Sequence, residues 1–547
     1  MIGSARRTAG RPQKRAHNVM RFPPPIGGID NRLALGGNDP NHCIYTYNLM
    51  PSEEGMVVRD GYREWQITVD DGSGAGIHTM IPFNSETPSQ DKLFAVNNEG
   101  IWDVTVYGAT ASKVATFSDT SADAGYGTFT RFVNQAEVDV MFYADNLNGL
   151  WKYTVSTNTW AVPTDITGLV EAEVNFVTVY KNNVWFGVRE STVGYYLPVL
   201  ASSGTVAEQF FGDKFKMGGA LKGLFNWTVD GGNGVDDILV VVSSAGDVIV
   251  YTGSGPAEDD WGMKGIYYIG DIPNTPRFGS EQGGELYLLS SYGIISMNDL
   301  LQGVDTAEIM KTTGASMSAK IARSIRSDMK KNIDQRGWGV SVVPSQGGVL
   351  ISTPQVGSEP YQQFFFNLAT NGWGIWRGVP IQCSTSFNDN LYFGTADGRV
   401  MIMDSVVDNA LLTPVDPPLN GDDIEFSILT AFSSMGEDGT YKRPHLIRPD
   451  FISTLAPSHT SQIRFDYDIT EGVNNALTPP AISTSALWDT ALWETAIWGS
   501  DAGSIFPSMG GAWGYGRYCA VATKGTCRAG TNLIGWDVIY STGGVMY

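Results

Sequence analysis

The chain has 547 residues, of which 42% are hydrophobic and 17% charged, a balance that suits a folded protein with an ample core and excludes a disordered one. Formal net charge is −21, and residues 1–21 hold six bases and no acid, so the remainder carries −27; a body this acidic repels phosphate and argues against non-specific grip on nucleic acid. No apolar run is long enough to cross a bilayer as a helix, so no membrane span is expected.

Residues 1–57 read as a basic N-terminal arm followed by a Pro-rich opening segment. The arm has no apolar core and is not a secretory signal. It is either a solvated tail or an arm that orders on an acidic partner, in which case Arg6 and Arg7 are its first contacts.

Residues 58–410 carry a repeat. Short apolar or aromatic runs flank a turn at 93–105, 141–154, 184–197, 239–253, 286–297 and 391–404, with a weaker copy at 349–368. Gly100, Gly149, Gly194, Gly246 and Gly293 mark the turns at separations of 49, 45, 52 and 47, and Gly398 follows after 105, with Gly357 in the gap. Glycine supplies the positive φ that tight hairpins need. A period in the forties with several strands per unit predicts a β-propeller of about seven blades, six to eight being compatible. Further strands are read at 157–163 and 371–378. The segment 58–69 is placed to close the ring against the last blade. A stack of β-sandwiches is the competing fold.

Inside the repeat, residues 316–332 break the pattern. Met317, Ile321 and Ile325 recur every four residues and predict one inserted amphipathic helix. Residues 311–336 hold seven bases and two acids, Lys320, Arg323, Arg326 and Lys330 among the bases. This is either a solvated basic face or a positive element that meets an acidic neighbouring subunit or lines a channel.

Residues 411–421 read as a Pro-rich linker. Residues 422–547 read as an antiparallel β platform domain, with alternating runs at 424–432, 461–469 and 533–541. Within it lies LWDTALWETAIWGS, residues 487–500. Its Trp488, Trp493 and Trp498 recur every five residues. On a helix that spacing rotates each Trp roughly 140° from the last, and on a strand it alternates faces. An extended, turning segment with each Trp in a separate pocket is expected. The pockets belong to this domain or to a neighbouring subunit.

No catalytic constellation is legible. His17, His42, His78, His445 and His459 show no metal-ligand spacing, and no phosphate loop or nucleophile elbow occurs. The four cysteines are scattered and read as buried free thiols, which suits a reducing cytoplasm. Paired acids at 70/71, 236/237, 259/260 and 422/423 sit beside Gly or Pro and read as solvated turns. No cofactor, metal or enzymatic activity is expected.

The opening segment resembles a family of structural proteins of tailed bacteriophages. Residues 23–28 match its PPxGG start, and residues 48–62 match its xNxxPxxGxxxRxGY element with one residue more between Pro51 and Gly55. The blade repeats and the Trp-rich stretch complete the likeness to the tail nozzle, or tail tubular protein, of short-tailed phages. The resemblance implies a virion tail protein made in the host cytoplasm. It implies a β-propeller on a β-rich platform and a ring, commonly of six copies. That homo-oligomer forms a conduit below the portal and adaptor ring, meets a tail fibre or tailspike, and passes double-stranded DNA without specific binding. The alternatives are a propeller tail fibre or glycan-binding module, and a propeller glycoside hydrolase.

Overall fold

The computed structural model describes residues 17–543, apart from 33–34, 36–38, 71, 231–234, 283, 303–317, 412–420, 472–503 and 508. The fold is mainly β, as the sequence predicts. Seven antiparallel meanders follow one another in the chain. Their first strands are Thr79–Phe83, Gly127–Val133, Val174–Tyr180, Leu221–Asp230, Gly279–Gln282, Gly339–Val343 and Cys383–Phe387. Each first strand touches the next, and the seventh touches the first, so the sheets form a closed ring about an axis.

The hairpins read from sequence are the middle pairs of these sheets. In sheet one, Lys92–Asn97 pairs with Gly100–Asp103. Alternation explains why the runs are apolar throughout. Leu93 and Ala95 face sheet seven, whereas Phe94 and Val96 face sheet two. Met141 and Tyr143 face sheet one, whereas Phe142 and Ala144 face sheet three. Side chains alternate across a strand, so a sheet covered on both faces needs both positions apolar.

Six of the seven turn glycines have positive φ, from 61° at Gly357 to 155° at Gly100. Gly194 does not mark a turn. It lies inside the strand Val193–Tyr196, and the left-handed residue of that turn is Glu190, φ 54°. Gly194 instead admits Phe211, whose ring would lie 2.8 Å from an added Cβ.

Sheet seven is completed from the other end of the chain. Its strands Cys383–Phe387, Asn390–Gly394 and Val400–Ser405 take Gly61–Gln66 as the fourth. This is the closure expected of residues 58–69. Sheet five has three strands, the last being Gly293–Ser296. A short helix α1, Met297–Leu301, follows, capped by the Ser296 side chain on the Asp299 amide. The expected amphipathic helix is α2, Ala322–Asn332, entered through a 3-10 turn at Ala319–Ile321. Ile325 and Met329 are buried, while Arg323 and Lys330 are exposed. Met317 lies outside the described residues.

A separate sheet and a set of strands that extends sheet six form the platform. One joins Leu49–Ser52, Gly55–Val58, Asn532–Gly543 and Tyr441–Ser453, with Asn18–Phe22 on Asn532–Gly543. The other joins Cys43–Tyr47, Ile424–Thr430, Cys519–Cys527 and Ser458–Phe465. The opening segment and the C-terminal section, read apart in the sequence, thus share both. Tyr441–Ser453 contains Pro444 and Pro449, and its register slips after Pro444 and again between Asp450 and Phe451. Proline cannot donate to a ladder, which is why this strand is not legible as one.

His78 ties sheet one to sheet two. Its ring stacks on Tyr126 at 4.2 Å, and Nδ1 lies 2.8 Å from the Ala124 carbonyl. Burial pushes its pKa from 6.5 down to about 4. Between those values the unfolded chain binds the proton and the folded chain does not, so this contribution to stability is lost as pH falls from 6.5 through about 4. Chemical denaturation at stepped pH checks this. His78→Phe, which keeps the ring stack and cannot take a proton, is expected to flatten the slope across that window.

Candidate functional site

The residues that carry the phage-tail resemblance meet at one place, where ring and platform join. The PPPIGG turn is closed by the Gly28 amide on the Pro25 carbonyl, 2.9 Å. Gly28 has φ 70°, and an added Cβ would lie 2.4 Å from the Trp373 nitrogen. Only glycine fits this approach. Beyond it, the Ile29 amide donates to the Trp373 carbonyl at 2.9 Å. The turn is thereby seated on Gly372–Arg377, the outermost strand of sheet six.

Asn48 sits at the centre of the junction. It is 3% exposed and left-handed, φ 59°, a conformation asparagine tolerates better than most residues. Its Nδ2 donates to the Arg377 carbonyl of the ring (2.9 Å) and to the Glu425 carbonyl of the platform (2.8 Å). Its Oδ1 accepts from the Arg377 amide at 2.8 Å and from Arg59 Nε at 2.9 Å. One side chain therefore uses both donors and its acceptor to join a ring strand, a platform strand and a cation. Beside it, Tyr47 pairs in parallel with Ile375, so sheet six continues into the platform.

Arg59 is buried with its guanidinium on Asp408, at 2.8 and 2.6 Å. Nη1 also donates to the Asp60 carbonyl at 2.8 Å. Asp408 exchanges backbone hydrogen bonds with Asp422, both 2.8 Å, across the linker read at 411–421. Gly61 follows, where an added Cβ would lie 2.1 Å from the Val407 carbonyl oxygen. Tyr62 is buried edge-on against Phe393 at 5.5 Å. Pro51 covers Gly372, and Gly55 admits Asn532. Asn48, Pro51, Gly55, Arg59, Gly61 and Tyr62, the named positions of the 48–62 element, each have a stereochemical task here.

α2 reinforces the junction. Lys320 Nζ donates to the Gly27 and Asn371 carbonyls at 3.3 and 2.9 Å, and burial pushes its pKa down. Arg323 donates to the Arg32 carbonyl at 3.4 Å, and Arg326 to the Tyr292 carbonyl at 3.2 Å. Asn31 donates to Ser324 Oγ at 3.0 Å. Three of the four candidate basic residues of the helix thus contact carbonyls of their own chain, and Lys330 is exposed. The remaining sequence candidates, Trp488, Trp493, Trp498, Arg6 and Arg7, lie outside the described residues. Sequence reasoning missed the roles of Asn48 and Asp408 as the two partners of Arg59. The 48–62 spacing was a signal for Asn48 and none for Asp408.

All four cysteines are buried, and burial pushes each thiol up, Cys519 and Cys527 to about 12. Asp70 accepts from the amides of Gly72 and Gly74 at 2.8 and 2.6 Å, a turn of the kind expected. Among the described residues no group of three His, Cys, Asp or Glu side chains could hold a metal ion. Among them, too, no helix is long and apolar enough to cross a membrane.

No family model matches the chain, and no curated protein does. Among solved structures, it is similar to the extracellular domain of a protein described as a hybrid two-component system of B. thetaiotaomicron, at 10% identity and a TM-score of 0.40. The match covers 76% of this chain and 56% of that one, so the chain spans little more than half of the protein it matches.

Removing Arg59 leaves Asp408 without its partner at a site where the Asp408 side chain is 17% exposed. Arg59→Met is expected to cost about 3–5 kcal/mol in urea unfolding, the range for breaking a buried pair. The double variant Arg59→Met/Asp408→Leu should recover part of that loss. Strict additivity of the two would mean that the pair is not coupled.

Proposed function

We propose that this chain is a structural virion protein: a ring-forming nozzle subunit of a short phage tail, serving as conduit for DNA ejection below the portal and adaptor. In this reading the seven-sheet ring is a β-propeller carried on the platform. One observation carries it. The positions that match the nozzle family, 23–28 and 48–62, are the positions that join ring to platform, so the resemblance falls on residues with a shared architectural task. Motif positions scattered over the surface would have no such common reason.

The charge supports the same reading. A body at −27 outside residues 1–21 offers phosphate no continuous grip, and DNA slides past walls of its own sign. The function is then mechanical: hold the channel, and open it on receptor engagement. The partners are further copies of the chain, six by the family's habit, with the adaptor ring above and a tail fibre or tailspike at the side.

Electron microscopy of the purified chain mixed with phage adaptor tests the proposal. A ring with a central pore, of about six copies by native mass, is expected. A monomer that ignores the adaptor and binds polysaccharide would overturn it in favour of a fibre or glycan-binding module. Trp493→Ala is expected to weaken ring assembly more than it lowers the melting temperature of the subunit. Equal losses would place that Trp in the subunit's own core.

A further inference from the structure

The beginnings of the inner strands converge on the axis and bring together cations from three sheets. Lys222 is the second residue of Leu221–Asp230 in sheet four. Arg277 lies just before Gly279–Gln282 in sheet five, and Arg336 just before Gly339–Val343 in sheet six. Arg277 and Arg336 meet the His78–Tyr126 ring stack from sheets one and two, and Lys222 stands at the same end of the ring. Arg277 Nη2 donates to the His78 carbonyl at 2.7 Å. The Arg336 guanidinium lies 5.3 Å from the centre of the Tyr126 ring. Lys222 and Arg336 repel one another across sheet five.

The charges at this mouth do not balance. Asp123 is the one carboxylate paired there, 2.6 Å from Arg336 Nε, and its side chain is 62% exposed. Arg277 Nε is buried without a hydrogen-bond partner. Lys222 makes no ion pair among the described residues. Three cations against one carboxylate, in a chain of net charge −21, run against the whole molecule. Uncompensated charge away from water is costly, and an anion offsets that cost.

We propose that this axial mouth binds a phosphate-class oxyanion, with Lys222, Arg277 and Arg336 as its ligands. The donors approach from three sheets, which suits a tetrahedral anion better than a flat carboxylate. A dianion matches the excess of two positive charges. Guanidinium groups supply paired, charge-assisted hydrogen bonds to such oxygens. Next to the mouth, a cavity of about 300 Å³ is lined by Arg277 and by the hydroxyls of Thr128, Ser280, Ser341 and Ser384. These offer further donors. Burial and Arg336 pull Lys222 down to about 8, so it is mostly protonated at neutral pH and bound phosphate would raise it. The other titratable groups around the mouth are His78, Tyr126, Asp123, Cys383 and Tyr143, whose hydroxyl donates to Asp145 at 2.9 Å.

Calorimetric titration of the full chain with inorganic phosphate at pH 7, with ionic strength held constant by sodium chloride, tests this. Saturable binding at one site per chain is expected. Arg277→Gln and Lys222→Gln should each weaken it by about tenfold or more, the equivalent of one charge-assisted hydrogen bond. Lys222→Gln removes a side chain that holds nothing in place, so its fold, checked by melting temperature, should survive. A 5′-phosphorylated oligonucleotide as competitor identifies the source. Displacement means a nucleic-acid phosphate end, and no displacement means the free ion. Absence of saturable binding, or unchanged affinity in Lys222→Gln, would overturn the proposal.

Discussion

The fold depends on a chain that must belong to two bodies at once. Residues 18–58 build the platform, and residues 61–66 close the ring, with two residues between them. The backbone therefore crosses from one body to the other inside the protein, and its polar groups need partners where water is absent. Asn48 meets that need for both bodies through one side chain. A net hydrogen bond contributes about 1 kcal/mol, but a buried group left unpaired costs about 1–3 kcal/mol. The junction is thus held less by what its bonds add than by what their loss would expose. Arg59 and Asp408 extend the same logic to charge: each is tolerable there because the other is present.

Around that junction, the ring is held by face-to-face burial. Each sheet has two apolar faces, and each hydrophobic cluster is shared between neighbours, as Leu93 with sheet seven and Phe94 with sheet two. No sheet can bury both faces alone, so the ring must close, and Gly61–Gln66 closes it. Sheet five departs from the pattern. Helix α2 lies against its outer strand and turns its basic residues onto the carbonyls of the opening segment. One insertion serves both the ring and the junction.

The legible parts of this architecture are local. Middle hairpins such as 93–105 show themselves because both faces are apolar and a glycine sits at the turn. The closing strand Gly61–Gln66, which carries Arg63, Glu64 and Gln66, is instead legible from its place just before the first hairpin. The platform was only partly so. Strands in the opening segment find partners as far as 522 residues away, as Asn18 with Tyr540, and no local pattern encodes such pairing. Pro444 and Pro449 hide the longest strand. Gly194 looked like its fellow turn glycines but makes room for Phe211, and Glu190 takes the turn instead. At the candidate site, the sequence presents Lys320 as part of a basic face, either solvated or turned to a neighbour or channel, whereas it is half-buried on the carbonyls of Gly27 and Asn371. Asn48 offered nothing by itself, since a single left-handed asparagine looks like any turn.

Shape, in this account, is what the chain supplies, and the shape rests on ring and platform moving as one unit. Hydrogen exchange on the native protein tests that claim most directly. The ring strand Gly372–Arg377 and the platform strand Ile424–Thr430 are joined by the Asn48 side chain and by Cys43–Tyr47, which pairs with both. The account predicts that their amides open together, with the same free energy, and that Asn48→Ala lowers protection in both strands equally. Independent opening of the two strands in the unaltered protein, or loss confined to one of them in the variant, would contradict it.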